Sequence, residues 1–375
     1  VALLNLPARY RPTLLPMHHP AFSFVASEPR RGAPDGRLRG WSIPIKDTVD
    51  VKGMPTTNGN PARARIATTD DPIARMLLNA GAEIPAKTLT SELGATCYAE
   101  RDGVPVLESP AYPGCTPGGS STGAGVAVAH SLVRSAHGTD AGGSVRVPAG
   151  ACAVVGFKAA SHQLAAHGFL TTGVADLFTI TGWRRPPRRR LRIGVLTDGL
   201  FVASQVQGWR GEVVDTLATA LARTHDVVKL DPYPQAGTTF AHFSARIKHA
   251  FANVDPLDNP YLQWCSDQGR KVTAAQLRSA QDHFHLLPEI LARAWDVDVL
   301  LTPTLAFDPP PVGYFPALSP EESFYQQTVW SPWCSLFNVS GFAAVAIGPV
   351  HLGALTLGGA ELLVLAEEAE ELLTS

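Results

Sequence analysis

Two kinds of hydrophobic spacing alternate along the chain and predict an α/β protein. Short apolar runs typical of buried strands lie at 43–46, 82–86, 191–196, 226–230 and 298–302. Helical spacing of apolar residues predicts helices at 71–80, 123–132, 212–223, 273–295 and 359–373. Strands that alternate with helices over short connections favour a parallel or mixed sheet. We therefore predict one α/β/α domain, with a mixed, twisted central sheet covered by helices on both faces.

Several segments modify this simple pattern. The helix predicted at 123–132 consists of small and apolar residues nearly all round, which predicts burial. Pro288 lies inside the helix predicted at 273–295 and indicates a kink or a boundary there. Residues 1–40 are rich in proline, arginine and glycine, so we expect a surface loop at 29–36 before the first core strand.

Two glycine-rich turns, each with a serine, bracket the helix predicted at 123–132. The first is PGGSSTG at 117–123, and the second is GTDAGGSVRVPA at 138–149. Glycine beside a serine allows positive φ and a close approach of the backbone to a ligand. Such turns also direct successive N–H groups at one point, as a developing oxyanion requires. The serines are therefore candidate nucleophiles.

A serine nucleophile needs a base, and Lys46 is the best candidate. It ends the apolar run at 43–46. A buried lysine loses hydration of its charged form, so its pKa falls and it can act as a neutral base. A lysine at a strand end is by itself usually a snorkelling surface residue, and a lone Gly-Gly-Ser is usually a loop. The interpretation depends on the lysine and both turns together.

Residues 43–53, 117–123 and 138–158 together resemble the amidase signature family, with looser similarity at 299–304 and 337–341. That family uses a Lys-Ser-Ser triad with a cis-serine relay. The resemblance implies that Lys46 is the base, Ser120 the relay and Ser144 the nucleophile. It implies hydrolysis of a carboxamide C–N bond through an acyl-serine, without metal or cofactor.

Residues around the second turn have supporting roles in this scheme. The N–H groups expected to hold the oxyanion belong to Ala141, Gly142, Gly143 and Ser144. The resemblance implies that Ser121 hydrogen-bonds Lys46 or the relay serine. Asp140 and Arg146 flank the nucleophile with opposite charges, and we infer an ion pair that holds the turn.

A rival interpretation uses the same residues differently. GSSTG at 119–123 matches G-x-S-x-G, which would make Ser121 the nucleophile of a Ser-His-Asp hydrolase. That motif follows a buried strand, and residues 112–117 are too rich in proline and glycine to form one. We therefore reject it, and expect His130 and His137 to be buried packing residues rather than bases.

Three further features have ordinary structural interpretations. The aromatic-rich residues at 324–333 favour a core role over a pocket wall. Cys115 is a candidate pocket-lining thiol, although inert packing is favoured. The arginine-rich, proline-broken stretch at 184–192 is predicted to be a solvated linker.

Composition narrows the class of partner. A hydrophobic share of 45%, a charged share of 17% and a net charge of −2 are ordinary for a globular protein and give no case for nucleic acid. The five cysteines are widely spaced and favour neither a disulfide framework nor a metal site. No signal-peptide pattern or apolar span of about 18 residues is present, so we expect a cytoplasmic protein without a membrane partner. The partner expected is a small-molecule amide, and a homodimer is left open.

The resemblance also predicts how the chain is divided into regions. We predict a single domain over 1–375, with a signature core at about 40–160, a variable substrate lobe at 161–296 and a C-terminal return to the core at 297–375. Relatives have a longer middle region and a strand pair after Asn338 that looks shortened here. The alternatives left open are a catalytically impaired amidase-like scaffold and a subunit of an amidotransferase complex.

Overall fold

Strands and helices alternate along the computed structural model, which describes residues 19–375. The strands are β1 (Phe22–Arg30), β2 (Ile45–Lys46), β3 (Pro55–Thr56), β4 (Arg65–Ile66), β5 (Ile84–Thr88), β6 (Ser135–Asp140), β7 (Val155–Lys158), β8 (Ala166–Thr171), β9 (Arg192–Val195), β10 (Asp226–Lys229), β11 (Val299–Pro303), β12 (Ala344–Ile347) and β13 (Val350–Ala354). The α-helices are α1 (Pro72–Asn79), α2 (Thr122–Ala129), α3 (Arg146–Ala151), α4 (Val174–Thr181), α5 (Gly208–Leu221), α6 (Ala236–Ala250), α7 (Pro260–Lys271), α8 (Ala274–Ala294), α9 (Pro320–Trp330), α10 (Leu336–Val339) and α11 (Gly359–Thr374).

An eight-stranded mixed sheet forms the centre of the molecule, in the order β10-β9-β11-β13-β12-β7-β8-β6. The pairs among β10, β9 and β11 are parallel, and the remaining pairs are antiparallel. Apolar residues of α4, α5 and α11 pack on one face, and those of α2 and α3 pack on the other. The predicted α/β/α fold with a mixed central sheet is confirmed.

A smaller three-stranded sheet, in the order β1-β5-β2, carries Lys46. Strand β2 runs parallel to β5, with Lys46 opposite Thr88. The N–H of His137 on β6 donates to the carbonyl of Pro44, 3.0 Å away, just before β2. This contact holds the end of β2 against the β6 edge of the main sheet.

The sequence analysis missed β1. This strand pairs antiparallel with β5, contains Pro29 and is buried only in part. Neither a clean alternation nor an apolar run marks a half-exposed strand of this kind. The other expectations for residues 1–18 lie outside the described residues.

Two further details bear on the sequence analysis. Pro288 lies inside α8, which continues from Ala274 to Ala294, so the proline marks no boundary. The segment after Asn338 contains an antiparallel strand pair, formed by β12 and β13.

The arginine-rich stretch is exposed, as predicted, but its side chains are paired rather than free in solvent. Most of its partners lie on α11, and the pairs are Arg185–Glu367, Arg188–Glu371, Arg189–Glu361 and Arg190–Asp226. The stretch therefore lies along the C-terminal helix. No helix within residues 19–375 is long and apolar enough to cross a membrane.

Candidate active site

Lys46 is completely buried at the end of β2. Its Nζ donates to Ser120 Oγ at 2.6 Å and to Thr139 Oγ1 at 2.8 Å, and it lies 3.3 Å from the Thr139 carbonyl oxygen. These acceptors occupy the three donor positions of an ammonium group. The amine is therefore held in one orientation, facing the first glycine-rich turn.

The environment of Lys46 favours its neutral form. Burial lowers the pKa of Lys46 to about 7, against the opposing effect of the nearby Asp140 carboxylate. The cause is desolvation, since a charged amine in a dry interior loses the water that stabilises it. A lysine with this pKa is partly neutral near neutral pH and is able to accept a proton.

Ser120 and Ser121 lie where the first turn enters α2. The Gly119–Ser120 peptide bond is cis, and both serine side chains are buried. Ser121 Oγ donates to the Thr139 carbonyl at 3.4 Å rather than to Lys46 or Ser120, so the expectation for Ser121 is wrong. Its N–H donates to the Ser144 carbonyl at 3.1 Å, and this bond joins the two glycine-rich turns.

Ser144 differs from Ser120 in its access to solvent. It is half-buried and lines a cavity of about 500 Å³, whereas Ser120 is 1% exposed. The loop at 141–144 forms one wall of the same cavity. The structure thus places the buried lysine at the end of β2 against the first turn, and a backbone hydrogen bond joins that turn to the one that carries Ser144.

The Asp140–Arg146 ion pair inferred from the sequence is present and fully buried. Arg146 donates from Nη2 to Asp140 Oδ1 at 2.8 Å and from Nε to Oδ2 at 3.0 Å. Asn338 donates to Asp140 Oδ1 at 2.9 Å. Although burial opposes ionisation, the Arg146 charge and these hydrogen bonds hold the pKa of Asp140 below its ordinary value. The pair anchors the second turn to α10.

The Asp140 carboxylate accepts a hydrogen bond from one of the N–H groups that were expected to hold the oxyanion. The Gly143 N–H donates to Asp140 Oδ1 at 2.8 Å. Within residues 19–375 the N–H groups of Ala141, Gly142 and Ser144 have no acceptor. Gly143 therefore contributes its backbone conformation, with φ at +128°, rather than a free donor.

Mostly apolar side chains line the cavity in front of Ser144. The lining residues come from α6 and the residues after it, from residues 93–97 and from α9. The larger side chains are Leu93, Phe243, Ile247, Phe251, Tyr261 and Phe324. The aromatic-rich stretch at 324–333 contributes both to the cavity wall and to the core. Phe324 lines the cavity, whereas Trp330 and Trp333 are fully buried.

Two contributors near Lys46 were missed by the sequence analysis. Thr139 is two residues before the predicted oxyanion loop and supplies two acceptors to Lys46. Gly94 lies so close to the relay that an added Cβ would be 3.3 Å from Ser120 Oγ. The GTD segment at 138–140, which begins the second turn, was the available signal for Thr139. No local pattern marked Gly94, because its position depends on a contact between distant segments.

The remaining candidates lie elsewhere. His137 is buried, as expected, and its Nε2 is 3.0 Å from His167 Nδ1. His130 is exposed, so its predicted burial is wrong. Cys115 does not line the cavity, and Cys97 does. Burial raises the pKa of Cys97 well above its ordinary value, which disfavours the thiolate.

Comparison with known proteins agrees with this architecture. Residues 23–182 match the Amidase family model. A candidate amidase of Synechocystis sp. is 28% identical over 354 residues, which cover 82% of this chain and 68% of that protein. A glutamyl-tRNA(Gln) amidotransferase chain of Haloarcula marismortui is 36% identical over 148 residues, 39% of this chain and 35% of that one.

A solved structure resembles nearly the whole chain. The 6-aminohexanoate cyclic dimer hydrolase in complex with its substrate superimposes with a TM-score of 0.80 at 24% identity, over 91% of this chain and 86% of that one. The mixed sheet with its flanking helices is the fold of amidase signature enzymes. Residues 23–182 carry the match to the amidase family model, and over most of its length the chain has the fold of amidase signature enzymes. The family match and the fold support hydrolysis of an amide bond as the reaction class.

Proposed function

We propose that this protein hydrolyses linear carboxamides through an acyl-serine formed on Ser144. The observation that carries the proposal is the 2.6 Å contact between buried Lys46 Nζ and Ser120 Oγ. A neutral amine at this distance is able to take the proton of Ser120 while Ser120 takes the proton of Ser144. Ser144 then attacks the carbonyl carbon.

The second half of the reaction uses the same groups in reverse. Backbone N–H groups of Ala141, Gly142 and Ser144 stabilise the oxyanion of the tetrahedral intermediate. Lys46 returns its proton through Ser120 to the leaving nitrogen, and the C–N bond breaks to release ammonia or an amine. Water attacks the acyl-serine by the same proton route, which regenerates Ser144 and frees the carboxylic acid.

Labelling combined with replacement of single serines tests this proposal. A fluorophosphonate probe is expected to add to Ser144, as located by peptide mass, and Ser144→Ala is expected to abolish labelling and hydrolysis of a carboxamide panel. Ser120→Ala and Lys46→Met should each slow hydrolysis by about 10²–10⁴-fold, the range for loss of acid–base catalysis. Circular dichroism and thermal melting check that each variant folds.

Ser121→Ala is the matched control, because Ser121 is adjacent to the relay but its side chain bonds only the Thr139 carbonyl among residues 19–375. We expect this variant to keep most of its activity. Loss of labelling in Ser121→Ala alone would favour the G-x-S-x-G rival. A folded wild-type protein that is neither labelled nor active would support the scaffold alternative, and activity only with added partner chains would support membership of an amidotransferase complex.

A further inference from the structure

Arg246 stands out among the residues that line the cavity. It lies on the face of α6 that also presents Phe243, Ile247 and Ala250 to the cavity. These positions are three or four apart, which places them on one side of a helix. The arginine is exposed, so its charged group lies at the solvent side of an otherwise apolar wall.

The guanidinium of Arg246 has no partner within residues 19–375. No hydrogen bond, ion pair or ring contact reaches it. This sets it apart from the arginines along α11, which are paired with glutamates. Arg246 therefore keeps all five of its N–H donors available to a ligand.

The rest of the cavity leaves this charge unbalanced. No aspartate or glutamate lines the cavity in the described part of the chain. A second cation, Lys248, lies with its Nζ 4.7 Å from the ring centroid of Phe324, but the Glu321 carboxylate acts on it, so Arg246 carries the unbalanced charge. The local charge therefore favours an anion over a neutral or cationic group.

The helix geometry relates Arg246 to the oxyanion loop. The Phe243 ring packs on this loop, since a Cβ added at Gly142 would be 3.1 Å from Phe243 Cζ. Arg246 follows three residues later, about 4.5 Å further along the helix axis at 1.5 Å per residue. A ligand group at Arg246 would thus be separated from the reacting carbonyl by an apolar stretch of cavity.

We infer that the substrate is an amide with an acid group at the end remote from the scissile bond, and that Arg246 binds this group. This inference rests on the proposed function of Ser144. A planar guanidinium binds a carboxylate through two parallel hydrogen bonds, which fixes orientation as well as charge. The apolar wall between the two ends fits a hydrocarbon linker. The acid lies on either the acyl side or the amine side of the bond.

A matched series of substrates tests the inference and distinguishes these two sides. The series compares monoamides of linear dicarboxylic acids, N-acyl amino acids and neutral alkyl amides of equal chain length. We expect one acid-bearing class to have the higher kcat/KM, and Arg246→Gln to lower that value about tenfold. Hydrolysis of neutral amides should change less than about twofold, and Arg246→Lys should recover part of the loss.

Arg278→Gln is the control variant, because Arg278 is an exposed arginine on α8 that does not line the cavity. It should leave every substrate unaffected. Added salt should weaken only the acid-bearing substrates of the wild type. Equal kcat/KM values for acid-bearing and neutral amides in both wild type and Arg246→Gln would overturn the inference while leaving the proposed hydrolysis intact.

Calorimetry separates this inference from the proposed function if the wild type hydrolyses no amide in the series. Binding of the acid-bearing amides to Ser144→Ala, lost when Arg246→Gln is added, would support the acid site although hydrolysis had failed. Binding that is indifferent to Arg246 would overturn the acid site as well.

Discussion

Lys46 Nζ and Ser120 Oγ form a 2.6 Å hydrogen bond between two buried side chains that are 74 positions apart in the chain. Neither residue touches bulk solvent, so a proton that leaves the lysine has Ser120 as its nearest side-chain acceptor together with Thr139. The cis peptide bond at Gly119–Ser120 lies directly beside this contact.

We expect kcat/KM for a neutral amide to rise with pH and to level off above about pH 7. Burial lowers the pKa of Lys46 to about 7, opposed by Asp140, and only the neutral amine accepts a proton. A pH–rate profile measures this midpoint. Lys158→Met is a matched control, since burial also lowers the pKa of Lys158 to about 7 while its Nζ donates to the backbone carbonyls of Ala159 and Phe342 rather than to a serine. The control should keep the midpoint, and a rate that falls as pH rises through 7 would contradict the assignment of Lys46 as the base.

The same pKa shift affects folding stability. Between about pH 7 and the ordinary lysine pKa of 10.5, the unfolded chain holds a proton on Lys46 that the folded chain has released. The Lys46 contribution to the free energy of unfolding therefore rises with pH across this window and is constant below it. Urea unfolding at several pH values should show a shallower rise in Lys46→Met than in the wild type.

Thr139→Val is expected to move the midpoint of the pH–rate profile to lower pH. The substitution removes the Oγ1 acceptor 2.8 Å from Lys46 Nζ, so the ammonium form loses stabilisation and its pKa falls further. We also expect kcat to fall several-fold, because the amine is less firmly oriented. Thr139→Ser keeps the hydroxyl and should restore both values. An unchanged midpoint in the valine variant would show that Thr139 does not position the lysine.

Arg146→Met should strongly destabilise the fold. It leaves the Asp140 carboxylate buried without its cation, and breaking a buried pair in this way typically costs about 3–5 kcal/mol. Urea unfolding measures the loss. The comparison variant is Arg190→Met, which removes an exposed pair with Asp226 and should cost far less, since solvent screens both charges. Similar losses in the two variants would mean that the Asp140–Arg146 pair does not anchor the second turn.

Gly143→Ala should impair acylation of Ser144 more than Gly142→Ala. Gly143 has φ at +128°, and a Cβ there would be 2.9 Å from the Cys334 Cβ, so the loop must move. A shift of about 1 Å in a catalytic loop can cost about 10²-fold in rate. A Cβ at Gly142 would meet the flexible Phe243 side chain, at 3.1 Å from its ring, rather than backbone. Rates of fluorophosphonate labelling measure both effects, with thermal melting as the check on folding.

A second substitution tests the steric origin of the Gly142 effect. Phe243→Leu in the Gly142→Ala background should recover part of the labelling rate, because the smaller side chain leaves room for the added methyl group. The same second substitution should not rescue Gly143→Ala, whose obstacle is backbone conformation and Cys334. Rescue of both variants alike would indicate that crowding, rather than φ, limits the Gly143 position.

Much of the fold could be predicted from the sequence, because its signals are local. Apolar runs predicted the strands β9, β10 and β11, and helical spacing predicted α1, α5, α8 and α11 near their observed positions. Strand β1 was missed because it is half-exposed and contains Pro29. The predicted hydrogen bond from Ser121 to Lys46 or Ser120 was also wrong. A local motif contains both adjacent serines but does not indicate which of them faces the lysine.

The sequence by itself determined the fold class and the candidate residues Lys46, Ser120 and Ser144, because a buried run and two glycine-rich turns are short-range features. Only the tertiary structure decided three contacts. Thr139 accepts a hydrogen bond from Lys46, the Asp140 carboxylate accepts one from the Gly143 N–H, and α6 places Arg246 on the cavity wall. These contacts join segments far apart in the chain. Their geometry depends on how β2 meets β6 and how α6 packs over the second turn, which no local pattern of residues encodes.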